Sequence, residues 1–164
     1  MLYKTIRACF TIIAVNCDPN TWWILKSSGI TIAGPEIKSL PINVSEQDLV
    51  YYVSENMNEY WAPRVSRIED AVEYTLLQDS EIDAEIEWCI LGLLRQFYTI
   101  REQKVISKAG AGHYGLKHIP IKWHPIINKS LHKEVKAPLN SSKEQIESAI
   151  ELSKQSFLLA IRFL

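Results

Sequence analysis

From about Asp83 to Arg101 the chain carries Ile86, Cys89, Ile90, Leu93, Leu94, Phe97 and Tyr98, with Leu91 also apolar, so both sides of a helix are largely covered. A helix that is apolar on both sides has to be enclosed by others, which predicts a central helix with the rest of the chain packed around it. The 164 residues, 47% of them hydrophobic, suffice to enclose it in one compact domain.

The flanking segments supply the enclosing helices. Asp18-Pro19 starts a helix through Asn20 to Ser28, with Pro in the first turn where its missing N–H costs nothing, and Gly29 ends it. Ile30-Thr31-Ile32-Ala33 reads as a brief strand or extended segment closed by a turn at Gly34-Pro35. Pro41 to Val44 is a linker. Ser45 and Asp48 stand at capping-box spacing ahead of Leu49, Val50, Tyr52, Val53, Met57, Tyr60 and Trp61. Pro63 predicts a stop, and Ser66 to Gln78, with Ile68, Val72 and Leu76, reads as an antiparallel partner. Ser107 to Ile119 is expected to be a shorter helix loosened by Gly110, Gly112 and Gly115 and ended by Pro120, and Trp123 to Val135 follows as another. After the loop KAPLNSS, Ser141 or Ser142 can cap a final helix containing Ile146, Ala149, Ile150, Leu152, Phe157, Leu158 and Ile161. The fold class is therefore mainly α, a helical bundle with a short N-terminal extended segment. Residues 1–17 read as an apolar N-terminal remnant or linker, and 18–164 as the helical domain.

The opening MLYKTIRACFTIIAVNC has two cations before an apolar run and imitates a secretory signal. It lacks a small-x-small cleavage pattern and is shorter than the ~20 apolar residues that cross a bilayer, so no membrane partner is expected. A net charge of -1 predicts no general attraction to nucleic acid, and any anion site must be local. Cys9, Cys17 and Cys89 are odd in number and lack CxxC spacing, which argues against a disulfide framework and a zinc site; a reducing, cytoplasmic location is the simplest expectation.

Two constellations carry possible chemistry. Arg95, near the end of the central helix, and Lys108, opening the next one, can be brought to one edge by the turn between them. There the free N–H groups of a helix start at Ser107-Lys108-Ala109 would join them on a phosphate. The same spacing also fits Arg95 paired with a neighbouring acid and Lys108 merely solvated. The acids Asp79, Glu81, Asp83, Glu85 and Glu87 precede the core part of the central helix. Glu81 and Glu85 share a face and could receive a polycationic ligand, or could form a solvated, dipole-stabilised helix start. His113, His118, His124 and His132 follow no metal-ligand pattern, so no metal site is expected in this chain. Trp22, Trp23, Trp61, Trp88 and Trp123 read mainly as core, with at most one a ligand contact. GAGHYG is not GxSxG, and its glycines do not follow a strand, so neither a nucleophile elbow nor a dinucleotide fingerprint is present.

Ile30-Thr31-Ile32-Ala33-Gly34-Pro35, Val44-Ser45-Glu46-Gln47-Asp48-Leu49, Arg95, Lys104-Val105-Ile106-Ser107-Lys108 and the GLKHIPIKWHPII block occur in this order. From roughly Asp18 to Leu131 this succession resembles the C-terminal domain of aminoglycoside adenylyltransferases of the streptomycin/spectinomycin type. In that family a helical C-terminal domain closes over an N-terminal nucleotidyltransferase domain, with ATP and the antibiotic in the cleft between them. The resemblance implies that Arg95 and Lys108 contact ATP phosphates and that Glu85, with Glu81, meets the cationic aminoglycoside. It also implies Mg²⁺, held by an Asp-x-Asp pair after a GS-type turn in the other domain. Nothing before Asp18 supplies that signature or the family's catalytic base, so this chain alone is expected to have no catalytic residue of its own. Where the family places an aromatic on adenine, this chain has His132, Lys133 and Glu134.

The first expectation is thus the ligand-binding half of an aminoglycoside O-nucleotidyltransferase. Its partners would be ATP, the antibiotic, and either a separate nucleotidyltransferase domain or a second copy. The alternative is a non-catalytic helical interaction module or a truncated remnant, motivated by the apolar run Ala8 to Val15.

Overall fold

The computed structural model describes residues 18–73, 79–132 and 143–161, and no strand occurs among them. The α-helices are α1 (Pro19–Ser28), α2 (Glu46–Asn56), α3 (Ala62–Glu73), α4 (Asp79–Glu102), α5 (Lys108–His118), α6 (His124–His132) and α7 (Lys143–Ile161). A π-helical turn, Met57–Trp61, joins α2 to α3, and single 3₁₀ turns lie at Ile37–Ser39 and Ile121–Trp123. This is the mainly α bundle the periodicity predicts. No helix among the described residues is long and apolar enough to cross a membrane.

Helix α4 is the axis, packed against α2, α3, α5, α6 and α7. Its two apolar sides face two separate cores. Ile86, Ile90, Leu94 and Phe97 pack with Ala111, Ile119, Trp123, Ile126, Ile127, Ile146, Ala149 and Leu152 from the C-terminal elements. Cys89, Leu93 and Ile100 pack with Val53, Met57, Trp61, Val65 and Ile68 from the N-terminal run. Covering both sides of one helix therefore required helices from both ends of the sequence.

The capping box at α2 is complete. The Ser45 hydroxyl accepts from the Asp48 N–H at 3.1 Å, and the Asp48 carboxylate accepts from the Ser45 N–H at 2.7 Å. That backbone bond, with a second from the Ser45 hydroxyl, holds the Asp48 carboxyl below its ordinary value. Ser45→Ala is expected to lower stability by about 1 kcal/mol, the usual worth of an N-cap, read from the shift of a urea unfolding curve. A midpoint within error of the parent would refute it.

Pro63 does not stop the helix. Backbone from Glu46 to Glu73 stays helical, and the expected antiparallel pair is one continuous run. Proline lacks an N–H and its ring crowds the carbonyl four residues back, but both penalties vanish in a first turn. The π turn creates that condition. It hands over to α3 at Ala62, whose N–H reaches five residues back to the Met57 carbonyl, and Pro63 becomes the second residue of α3. The same turn corrects the apolar stripe. Leu49, Val53, Met57, Trp61 and Val65 are all buried and recur every fourth residue. In a plain α-helix each such step overshoots a turn by about 40°, and the wider turn takes up part of that drift.

The glycines of α5 permit close packing rather than loosening the helix. A Cβ on Gly112 would stand 2.6 Å from Leu131, and one on Gly115 2.9 Å from Leu94. Ile30 to Ala33 forms no strand; the chain bends there, with Gly34 at φ 96°, and Ile30 and Ile32 stay exposed. Of the last helix, the Ser141 or Ser142 cap and the side chains of Phe157, Leu158 and Ile161 lie outside the described residues, as do Leu76 and Val135.

Candidate functional site

The C-terminal end of α4, the start of α5 and the flank of α1 enclose a cleft of about 360 Å³. Each wall has a local cause. Helix α1 is fixed by Asp18, whose carboxylate accepts from the Thr21 N–H at 2.9 Å, and by Gly29, whose N–H closes on the Leu25 carbonyl at 2.9 Å. The Lys26 ammonium donates to the Lys38 and Leu40 carbonyls, holding the following loop against α1. Trp23, Ile24, Ser27 and Ser28 then line one side. After α4 the chain reverses at Gln103, in the left-handed region at φ 55°. Val105 to Lys108 return along the opposite side.

Arg95 holds this return in place: its Nε donates to the Ile106 carbonyl at 3.0 Å. Ser107 caps α5 by accepting from the Gly110 N–H at 3.0 Å, and the Ala111 N–H reaches the Ser107 carbonyl at 2.9 Å. The amides of Lys108 and Ala109 belong to the first turn, where no intrahelical acceptor exists. The Lys108 ammonium lies over the Trp88 ring, 3.9 Å from its centroid. Among the described residues no carboxylate pairs with Arg95 or Lys108. Among these residues Arg95 is therefore held by a backbone carbonyl rather than by a neighbouring acid, and Lys108 rests on an aromatic face. Two cations and a helix N-terminus meeting on one cleft form an electropositive concavity suited to a polyanion.

At the other end of the same face of α4 stands Glu85. Glu85, Trp88, Gly92 and Arg95 follow one another at steps of three, four and three, so they form one stripe about 15 Å long. The Glu85 carboxylate is gripped by Arg64 of α3: Nη2 stands 2.6 Å from both oxygens and Nε 3.0 Å from one. Arg64 Nη1 donates to the Tyr60 hydroxyl at 3.0 Å, and its guanidinium carbon lies 5.6 Å and 5.9 Å from the Tyr60 and Trp88 ring centroids. Trp88 is 43% exposed between the two charged groups. Glu81 sits in the first turns of α4, and its side chain lies outside the described part of the structure.

The structure thus brings Arg95 and Lys108 together on one cleft and places Glu85 along the stripe from them, already paired. Arg64 escapes the sequence reading, Tyr60 reads there only as an apolar helix position, and Trp88 is not singled out among the five tryptophans. Arg64 is 21 residues from Glu85, beyond any local spacing rule, and Trp88 differs from the buried Trp22, Trp61 and Trp123 only in facing outward. Among the described residues no three His, Cys, Asp or Glu stand together as metal ligands. His124 donates from Nε2 to the Ile119 carbonyl at 3.1 Å, and His118 Nδ1 accepts from Arg101 at 3.3 Å. The adenine position expected at His132 to Glu134 falls outside the described side chains.

Residues 62–156, more than half of the chain, match the family model described as aminoglycoside adenylyltransferase, C-terminal domain. No curated protein matches the chain.

Proposed function

The chain belongs to the aminoglycoside adenylyltransferase C-terminal domain family, and from that premise we propose that it is the ligand-binding half of an aminoglycoside O-nucleotidyltransferase. Bound ATP would supply the adenylyl group for an antibiotic hydroxyl. Arg95 and Lys108, with the first amides of α5, bind and orient its phosphates; Glu85, with Glu81, faces the cationic antibiotic. The support is the convergence of two cations without carboxylate partners and one helix N-terminus on a single cleft. The residues present fit a polyphosphate. They do not offer a cage for Mg²⁺, since no metal-ligand group occurs among the described residues. In this proposal residues 18–164 bind and orient, and the bond-making groups belong to a nucleotidyltransferase partner.

A tryptophan-fluorescence titration with ATP tests this, because Trp23 lines the cleft and Trp88 lies under Lys108. Arg95→Ala and Lys108→Ala should each weaken ATP binding by about tenfold, the scale of one charge-assisted hydrogen bond. Binding unchanged in both variants would sink the phosphate assignment. The purified chain should transfer no AMP, and transfer by it alone would overturn the division of labour.

A second reading, an interaction module that pairs with another protein, is favoured by Ile30 and Ile32, which are 86% and 97% exposed. Failure to respond to ATP and to streptomycin, together with binding of an apolar dye, would move it to first place.

A further inference from the structure

The surroundings of Arg64 are shaped for a guanidinium rather than for Arg64 in particular. The Glu85 carboxylate takes Nε and Nη2, the two donors on one edge of the fork, at 3.0 and 2.6 Å. The Tyr60 hydroxyl takes Nη1 at 3.0 Å, and the Tyr60 and Trp88 rings flank the cation at 5.6 and 5.9 Å. A carboxylate matched to parallel N–H groups, an acceptor for another N–H, and aromatic faces are what distinguish a planar guanidinium from a point-charge ammonium. The site is also open. Trp88 and Tyr60 are 43% and 37% exposed, and the Arg64 and Glu85 side chains keep 25% and 30% of their surface in water. An ion pair so accessible can exchange partners.

We propose that Tyr60, Glu85 and Trp88 form a guanidinium seat, which Arg64 fills in the free chain and yields to the guanidinium of a bound ligand. The proposal rests on the reading of Glu85 as the antibiotic-facing acid and specifies the ligand's chemistry. Streptomycin, which bears guanidinium groups, replaces the contacts of Arg64 like for like. Spectinomycin, whose cations are amines, offers charge without the fork or the flat face. Arg64 is then an internal competitor: it keeps Glu85 paired in the free chain and sets the affinity of a ligand that it does not itself touch.

The decisive comparison uses wild type, Arg64→Ala, Arg64→Lys and the double variant Arg64→Ala/Glu85→Gln. Millimolar methylguanidinium should raise the melting temperature of Arg64→Ala and leave wild type and the double variant unmoved, because only the first combines an empty seat with its carboxylate. Streptomycin should bind Arg64→Ala about tenfold more tightly than wild type, as expected if the seat is free in about a tenth of wild-type molecules. Spectinomycin should gain less. No rescue of Arg64→Ala, or equal rescue in the double variant, overturns the seat. Rescue without any response of wild type or Arg64→Ala to streptomycin sustains the seat and sinks the antibiotic reading instead. If Arg64→Ala does not fold, Arg64→Lys carries the test: it keeps the charge but loses the fork, so streptomycin should bind it more tightly than wild type. Unchanged or weaker binding there overturns the proposal.

Discussion

Trp61→Ala lowers the unfolding free energy by about 3–5 kcal/mol, the cost of emptying a large aromatic site in a core. Trp61 is 4% exposed at the end of the π turn, within the N-terminal core and in ring contact with Tyr60 and Trp88. Its indole occupies the space that a side chain on Gly92 would need: a Cβ there would stand 2.1 Å from Trp61 Cη2. The core therefore rests on a pair, one residue without a side chain and one with the largest. Gly92→Val should destabilise from the other direction, by about 1–3 kcal/mol of overpacking, despite the better helix propensity of valine over glycine. Trp61→Phe, which retains a ring over Gly92, should lie well between parent and Trp61→Ala. Urea unfolding followed by circular dichroism at 222 nm reads all three without depending on the lost fluorophore. If Trp61→Ala costs no more than a surface substitution, the described packing of the N-terminal core is wrong.

Alkaline pH should weaken the fold through Cys89. Burial pushes this thiol from 9.0 up to about 11, against a smaller opposing pull from Arg64. The unfolded chain loses the proton first. The contribution of Cys89 is therefore level below pH 9, falls between pH 9 and about 11, and is flat again above, a loss on the order of 2–3 kcal/mol. Tyr114, pushed up to about 12 by burial and by its hydrogen bond to Glu102, acts in the same sense above pH 10. Cys89→Ala isolates the thiol, since both proteins keep the tyrosines that titrate in the same range. Unfolding free energies measured from pH 7.5 to 11 should converge as pH rises, the parent losing its advantage. Parallel curves would show that Cys89 does not titrate as its burial demands.

Most of the fold was legible in the sequence because its signals are local. The capping box at Ser45 and Asp48, the Asp18-Pro19 start, the Gly29 end and the Ser107 cap each depend on side chains within a turn of the backbone they satisfy. The apolar wrap of Asp83 to Arg101 likewise required neighbours on both sides. Pro63 misled because its meaning depends on hydrogen bonding several residues earlier, which no residue type there announces. The glycines of α5 misled because propensity counts backbone entropy and ignores the helix pressed against them. The convergence of Arg95 and Lys108 on one cleft was legible because the chain reverses between them. The Arg64 grip on Glu85 was not, because only the packing of α3 on α4 creates it.

The π turn between Met57 and Trp61 also sets the phase of everything upstream of it. Close that turn to ordinary α-helix with every residue kept, and Leu49 and Val53 swing by about 100° relative to Val65 and Ile68. Those two side chains, now fully buried, would face away from α4, and the packing of α2 that supports α1 and its wall of the cleft would go with them. A substitution that closed the turn would thus act as an indexing error, detuning the proposed anion site while leaving every group that lines the cleft chemically intact.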